Sequence, residues 1–516
     1  MSWNVAFRLV FEVILEHGVS KLREGLKEKL LPLAVLAPGF LWAVFTFHLL
    51  AQYPTLFSFD LFLPDTQFIP LFFGLTIPAQ ILAAFLLKKL EAANWRTWSF
   101  ILCIERNLPG LLPASAIFIS SYALATALVE SEPGFADNYF DTDSPFWINF
   151  LTAEPAQMMT MRAVHPLALL ILRPPTWLLS LFLNGDRFHA AILLNSMFGG
   201  VCVYLAWSFF RQRSGNTTYA LLMASLLGLS TSHLLLSVFL ESYIFSATAL
   251  IAFFVLLQSA KDTSRLVLVG LVTFGITITN FIQTCAAHLL VRRNIRDFFI
   301  YVIIVLALAV PLAFVQHTLY PSSEPFYIPS NLTGESAYRH DLLELPSSVV
   351  FSRANVIFRN MALFSVVGPR PLILLEEIGC SFPCFNTIYF FRGAYQYASY
   401  IGFGSWLVRT WFLGLVVAAA LFAWRLIKLP RETSLQAALA LNLLFNFALH
   451  MNYGDDPLLY SPDWTYALVF FFGISFEKFS NRKWLQTILL LFLAALMFNN
   501  LEFFRKVLEA VLPFVD

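Results

Sequence analysis

The sequence predicts an all-α fold: a polytopic membrane bundle of about 13 spans, with amphipathic helices on its extracytoplasmic surface. Three observations predict it. Of 516 residues, 58% are hydrophobic and 13% charged, and the mean hydropathy is +0.71; soluble domains carry about 45–50% apolar and about 25% charged residues. Apolar runs recur along the chain at about the 20 residues that cross roughly 30 Å of hydrocarbon. Lys and Arg gather in alternate turns between these runs, as cytoplasmic loops require. Composition thus excludes a soluble enzyme, a disordered chain and a disulfide scaffold. With 33 Lys+Arg against 32 Asp+Glu the formal charge is +1, so no basic field draws nucleic acid.

Residues 1–30 mix Leu9, Phe11, Val13 and Ile14 with Arg8, Lys21, Arg23, Lys27 and Lys29, which predicts an amphipathic helix on the cytoplasmic surface. Residues 31–108 hold two spans, at 31–52 and 67–87, closed on the inner side by Lys88, Lys89, Arg96 and Arg106. A span at 109–130 then runs outward into a first external loop, 131–187. Within it HPLALLILRPPTWLLSLFLN (His165 to Asn184) is broken by Pro174 and Pro175. It predicts a surface helix, because a span there would put Arg211 and Arg213 outside. Runs at 188–210, 217–233, 237–260, 266–279, 281–291 and 298–316 complete a core module over 109–316. A second external loop, 317–403, carries Arg353, Arg359 and Arg370 in apolar sequence and is expected to hold further surface helices. Residues 404–516 supply spans at 404–424, 434–450, 464–478 and 484–500, a third external turn at 451–463, and an outer-side tail. The inner turns carry Arg211 and Arg213; Lys261 and Arg265; Arg292, Arg293 and Arg296; Arg425, Lys428 and Arg431; and Lys478, Arg482 and Lys483. Of five cysteines, only Cys380 and Cys384 are spaced to suggest a disulfide, in a loop facing an oxidising compartment.

The three external segments hold the candidate chemistry. In ADNYFDTDSPFW (Ala136 to Trp147), Asp137, Asp141 and Asp143 sit just beyond a membrane helix. A carboxylate at a low-dielectric boundary has its pKa raised toward that of a general base; an acidic loop that caps helices would carry the same residues. The Asp-x-Asp pair, Asp141 and Asp143, also suits a divalent cation with oxygen ligands. MRAVHP (Met161 to Pro166) brings Arg162 and His165 to the same surface, where an arginine fork fits a phosphate. HMNYGDDPLLYSPDW (His450 to Trp464) compresses His450, Tyr453, Asp455, Asp456, Tyr460, Ser461, Asp463 and Trp464 between two spans. Glu241 lies near the outer edge of its helix, and Asn280 and Gln283 interrupt apolar runs, where they serve interhelical hydrogen bonds.

An outward helix, an acidic external loop, surface helices opened by RAVHP and a helix returning to an Arg-rich inner turn together resemble the GT-C superfamily of membrane glycosyltransferases. Similar proteins include the polyprenyl-phosphate-sugar-dependent protein mannosyltransferases and the lipid A aminoarabinose transferases. LESYIFSATALIAFFVLL (Leu240 to Leu257) looks like that family's helix with an acid near its outer end. GITITNFIQ (Gly275 to Gln283) looks like its following short helical pair, and HMNYGDDPLLYSPDW like a loop of bacterial members. Two extra N-terminal spans depart from the pattern, and the acidic motif is not the adjacent Asp-Glu pair of the protein mannosyltransferases. The resemblance implies an enzyme of a bacterial inner membrane with its active site outside. It would transfer a sugar, with inversion, from a polyprenyl-phosphate-linked donor to a lipid or glycan acceptor. Asp143 is the implied base, followed by Asp141 and Asp137. Arg162, His165, Arg353 and Arg359 would bind the donor phosphate. His450, Tyr453, Asp456, Tyr460 and Glu241 would line the sugar or acceptor pocket. A divalent cation, held by Asp141 and Asp143 if by any residues, is left open.

Two rival readings share the composition. A multi-span transporter or lipid-linked glycan flippase would show repeated halves with broken helices at the midplane, whereas here the polar groups gather at one face. An oligosaccharide polymerase or ligase would depend on arginines and a histidine in a late external loop rather than on Asp143.

Overall fold

The computed structural model describes residues 26–58, 99–130, 138–259, 263–374, 382–391, 394–454 and 456–515. Residues 1–25 of the expected surface helix, the span expected at 67–87, Asp137, Asp455 and Cys380 lie outside the described residues. The described chain is predominantly helical. In order, the main helices are α1 (Leu26–Leu50), α2 (Ser99–Val129), α3 (Ser144–Thr152), α4 (Ala168–Ser180), α5 (Arg187–Ser214), α6 (Thr217–Gly228), α7 (Thr231–Val238) and α8 (Ser242–Ser259). They continue with α9 (Thr263–Ile276), α10 (Asn280–Arg292), α11 (Ile295–Leu319), α12 (Ser347–Arg359), α13 (Phe403–Lys428), α14 (Ser434–Asn452), α15 (Pro462–Phe476) and α16 (Lys483–Val511).

Seven of these helices are long and apolar enough to cross a membrane: α2 from Arg106, α5, α8, α11, α13, α14, and α16 with its terminal turn. The pair α6 and α7, bent by 60°, makes an eighth if counted as one span. These long apolar helices fit an integral membrane protein. The expected count of about 13 is not reached among the described residues. The runs at 266–279 and 281–291 fold as α9 and α10, of 14 and 13 residues, about 20 Å each at 1.5 Å per residue and shorter than the hydrocarbon core. The run at 217–233 breaks at Leu229 and Ser230. HPLALLILRPPTWLLSLFLN folds into the short helix α4.

Helix α5 packs against α2, α6, α7 and α8. Close approach needs Gly199 and Gly200: a Cβ on Gly199 would stand 2.2 Å from Ser237 Oγ, and one on Gly200 2.7 Å from Ala114 O. At the α6–α7 break, freed backbone groups need partners. Asn500 of α16 donates to Leu229 O at 2.7 Å, and also to Val366 O at 3.1 Å while accepting from Gly368 N at 2.9 Å; the amides of Thr231 and Ser232 donate to Val366 O and Ser365 O.

Chain direction gathers the ends of α2, α7, α9, α11, α14 and α16 and the starts of α5, α8, α10, α13 and α15 at one end of the bundle. The last turns of α5, α10 and α13 place Arg211, Arg213, Arg292, Arg425 and Lys428 at the other. The loop-bearing end departs from an all-α reading. Beyond α12 the chain makes a π-helical turn (Asn360–Phe364) and two antiparallel ribbons. β1 (Leu372–Leu374) pairs with β2 (Cys384–Asn386), and β3 (Ile388–Phe391) with β4 (Ala394–Tyr397). Strands of three or four residues with no sustained alternation leave little signal in sequence. Cys384 is disulfide-bonded.

Candidate active site at the loop-bearing end

The acidic loop is fixed by two elements distant in sequence. Its backbone pairs with β2: Phe140 N donates to Phe385 O and Phe385 N to Asn138 O, both at 2.7 Å. The Tyr139 ring stacks on Phe239 at 4.5 Å and on Phe385 at 5.4 Å. Phe140 and Asp141 both take left-handed backbone, with φ of 57° and 62°, at about 1–2 kcal/mol each for residues with a Cβ. Such strain persists where surrounding structure enforces it and concentrates at functional sites. From the other side Glu241 holds the loop: its Oε1 accepts from Asp143 N at 2.6 Å and its Oε2 from Ser242 N at 3.0 Å. Glu241, 1% exposed, therefore positions the loop through backbone groups, a correction to the expected pocket-lining role.

Asp143 occupies the N-cap position of α3, yet its side chain makes no capping hydrogen bond. Burial holds its carboxyl above the usual carboxylate range, and the Arg162 guanidinium draws it part of the way back. Helix capping, the ordinary use of an aspartate here, is thus not its role.

Arg162 stands opposite in a fork. Its Nε donates to Glu335 Oε1 at 3.0 Å and its Nη2 to Glu335 Oε2 at 2.8 Å and to Tyr453 Oη at 3.0 Å. The Tyr453 hydroxyl donates to Glu335 Oε2 at 2.5 Å. The guanidinium also lies 4.9 Å from the centre of the Tyr338 ring. Tyr460 is within electrostatic reach of Asp141, Asp143, Arg162 and Tyr453, and its ring meets Tyr243 edge-on at 5.3 Å. Asp456, buried, accepts from Leu458 N at 2.8 Å and Thr387 Oγ1 at 3.3 Å. Burial pushes its carboxyl up to about 7, and Asp141 adds to the rise. Arg162 and Tyr453 are bonded, the Tyr453 and Tyr460 rings lie 6.2 Å apart, and Asp141, Asp143 and Asp456 are linked to this group by electrostatic reach; together they make up the acid cluster. Comparison with protein-family models, curated proteins and solved structures gives no match. The site is accordingly read from its own geometry.

That geometry corrects several expected roles. His165 Nδ1 bonds Ile276 O at 2.7 Å. Burial, aided by nearby Arg162, lowers its pKa to about 4 against the opposing carbonyl bond. At neutral pH it is an uncharged ring with no cation to offer a phosphate. Arg353, 4% exposed, spends its fork on carbonyls: Nε donates to Met451 O at 2.8 Å, and Nη2 to His450 O at 2.7 Å and Gly454 O at 2.6 Å. It secures the end of α14 and the turn at Tyr453 and Gly454 through their backbone carbonyls. Arg359 turns to Asn355 and to the Tyr397 ring, away from Arg162. His450 is buried between the Tyr460 ring at 4.4 Å and Trp464 at 5.2 Å and wedges Tyr460 in place. Among the described residues no three His, Cys, Asp or Glu side chains come together to hold a metal ion, and no step below is routed through one.

Sequence reasoning missed Glu335, Tyr338, Tyr243 and Thr387. Glu335 lies 173 residues from its partner in an otherwise unremarkable polar stretch, and nothing local marks it.

Gly454 makes the turn beneath Tyr460 possible, with φ of 81° and space that a Cβ would share with the Tyr460 ring at 2.5 Å. Gly454→Ala is expected to destabilise the protein by at least about 1–2 kcal/mol from backbone strain alone, read as a lowered melting temperature in detergent. An unchanged melting temperature would show that the turn relaxes freely.

Proposed function

We propose that the chain is an integral membrane glycosyltransferase that moves a sugar from a polyprenyl-phosphate donor to a lipid or glycan acceptor at the outer side of a bilayer. The reading rests on one observation: Asp143 sits at a helix start without capping it, desolvated, across from Arg162. Its carboxylate removes the proton of an acceptor hydroxyl. The acceptor oxygen forms a bond to the anomeric carbon, with inversion, as the bond from that carbon to the phosphate oxygen breaks and the phosphate leaves with the electron pair. Arg162 and the Tyr453 hydroxyl stabilise that leaving charge. Tyr460 and Asp456 are the neighbouring groups that would contact the sugar. The cations at the opposite end of the bundle support an outward-facing site by the positive-inside rule.

Glu335 holds the anion seat that the phosphate would take. Binding therefore exchanges one anion for another, and Glu335→Gln is expected to tighten inhibition by a polyprenyl phosphate about fivefold, the worth of about 1 kcal/mol. Arg162→Ala is expected to weaken that inhibition. Unaltered inhibition in both variants would remove the phosphate from this seat.

The reading itself is tested with protein in proteoliposomes and a panel of polyprenyl phosphates carrying radiolabelled hexoses and pentoses. Transfer of label from one donor supports it. A panel in which every donor keeps its sugar, with and without lipid and glycan acceptors, overturns it.

A transport reading draws on a different observation, the polar chain inside the bundle. Asn280 Nδ2 donates to Ser246 Oγ at 2.6 Å, Gln283 Nε2 to Asn280 Oδ1 at 2.7 Å, and Tyr466 Oη to Gln283 Oε1 at 2.9 Å. These groups satisfy one another, which interhelical hydrogen bonding explains. Lipid-linked sugar crossing the same proteoliposomes with its phosphate bond intact would favour transport.

A further inference from the structure

A second polar site lies at this end of the bundle, apart from the acid cluster. A cavity of about 410 Å³ is lined by Arg359, Tyr397, Ser399, Tyr400, Ser405 and Arg409. It is open to the surface and bounded by the end of α12, strand β4 and the first turns of α13. Arg359 follows Arg353 by six residues, about 9 Å along the helix axis and about 120° around it. The cavity thus lies on a different face of α12 from the one bonded to His450, Met451 and Gly454.

Its charge comes from two guanidiniums. Arg359 rests 4.8 Å from the centre of the Tyr397 ring, and Arg409 5.3 Å from that of Trp406, contacts that orient both forks without neutralising them. Among the described residues neither is ion-paired. The Ser405 and Tyr400 hydroxyls donate to backbone carbonyls, Tyr400 O and Val367 O, so recognition falls to the arginines. Two cations without an ion pair among the described residues, side by side in one groove, suit an anion with several acceptor oxygens, and a phosphate matches the fork geometry.

The surroundings say where that phosphate comes from. Phe358 and Phe412 meet edge-on at 6.2 Å across the α12–α13 contact. Phe403, Trp406 and Leu413 are 59%, 69% and 64% exposed. Helix α13 is the least buried of the seven candidate spans, with 17% of its apolar window covered. A cationic cavity at the end of a bare apolar helix suits an amphiphile, its headgroup held in the cavity and its chains against the helix.

We propose that Arg359 and Arg409 bind the phosphate group of a membrane lipid whose acyl chains lie along α13. The site is independent of the sugar-transfer reading, since it uses neither Asp143 nor Arg162. In nanodiscs of phosphatidylcholine with and without phosphatidylglycerol, native mass spectrometry of the full chain is expected to show retained phosphatidylglycerol. Arg359→Gln and Arg409→Gln are each expected to lower retention about fivefold. A photoactivatable phosphatidylglycerol bound to the unsubstituted protein is expected to label α13 around Trp406, a readout that does not depend on a variant folding. Inorganic phosphate forms the other arm: competition with the retained lipid supports the shared phosphate seat. Binding of inorganic phosphate without any lipid preference overturns the lipid assignment. Labelling elsewhere, or full retention by the double variant, overturns the site.

Discussion

Asp143→Asn is expected to lower sugar transfer in proteoliposomes by about 10²–10⁴-fold, the range that a positioned general base contributes, while expression and melting temperature hold. The amide keeps the shape of the side chain, and the backbone bond from Asp143 N to Glu241 is untouched. Only proton acceptance is lost. The wild-type pH profile carries the matching sign. Burial raises the carboxyl's pKa, so the basic form accumulates only as pH rises through that raised value. Transfer should fall on the acid side and level off above. An unperturbed rate in the variant would remove Asp143 as base, and an acid limb that survives in it would assign the limb to another group.

Arg353→Met is expected to act on stability instead. It leaves the carbonyls of His450 and Met451 without the Arg353 donor, at about 1–3 kcal/mol for each group left unsatisfied, while Gly454 O keeps the His340 ring nitrogen at 3.1 Å. Partial relaxation toward water gives an expected loss of about 2–4 kcal/mol. The measurement is thermal unfolding in detergent, with Arg353→Lys restoring only part, because a point charge cannot span the forked bonds. A variant that melts normally but loses affinity for a polyprenyl phosphate would return Arg353 to the phosphate-binding role that its position in sequence suggests.

That pair of outcomes marks what the sequence made legible. Hydropathy located the long spans, and the acid run before α3 pointed to the loop where strain, burial and Arg162 converge. Alternating charge separated the two ends of the bundle. Arginines in apolar external sequence were a poorer guide. Arg173, a further example, is buried and donates to Phe150 O and Ala153 O at 2.6 Å each. A guanidinium that ties down carbonyls and one that awaits an anion have the same local sequence, and only the fold separates them. The same holds for Glu241, legible as an acid near a helix end but not as the anchor of a loop 98 residues away. Glu335 and the two ribbons were invisible, since tertiary pairing rather than local pattern creates them. The α9 and α10 runs were legible as a separate short pair, but each is too short to count as a span.

Asn500 carries a consequence for the order of assembly. Every side chain of the acid cluster precedes residue 461, so a ribosome has delivered all of them before α16 emerges. The carbonyl of Leu229 and the amide of Gly368 nevertheless wait for that last helix. A nascent chain thus carries every side chain of the acid cluster before Asn500 arrives to join the α6–α7 break to the segment after α12.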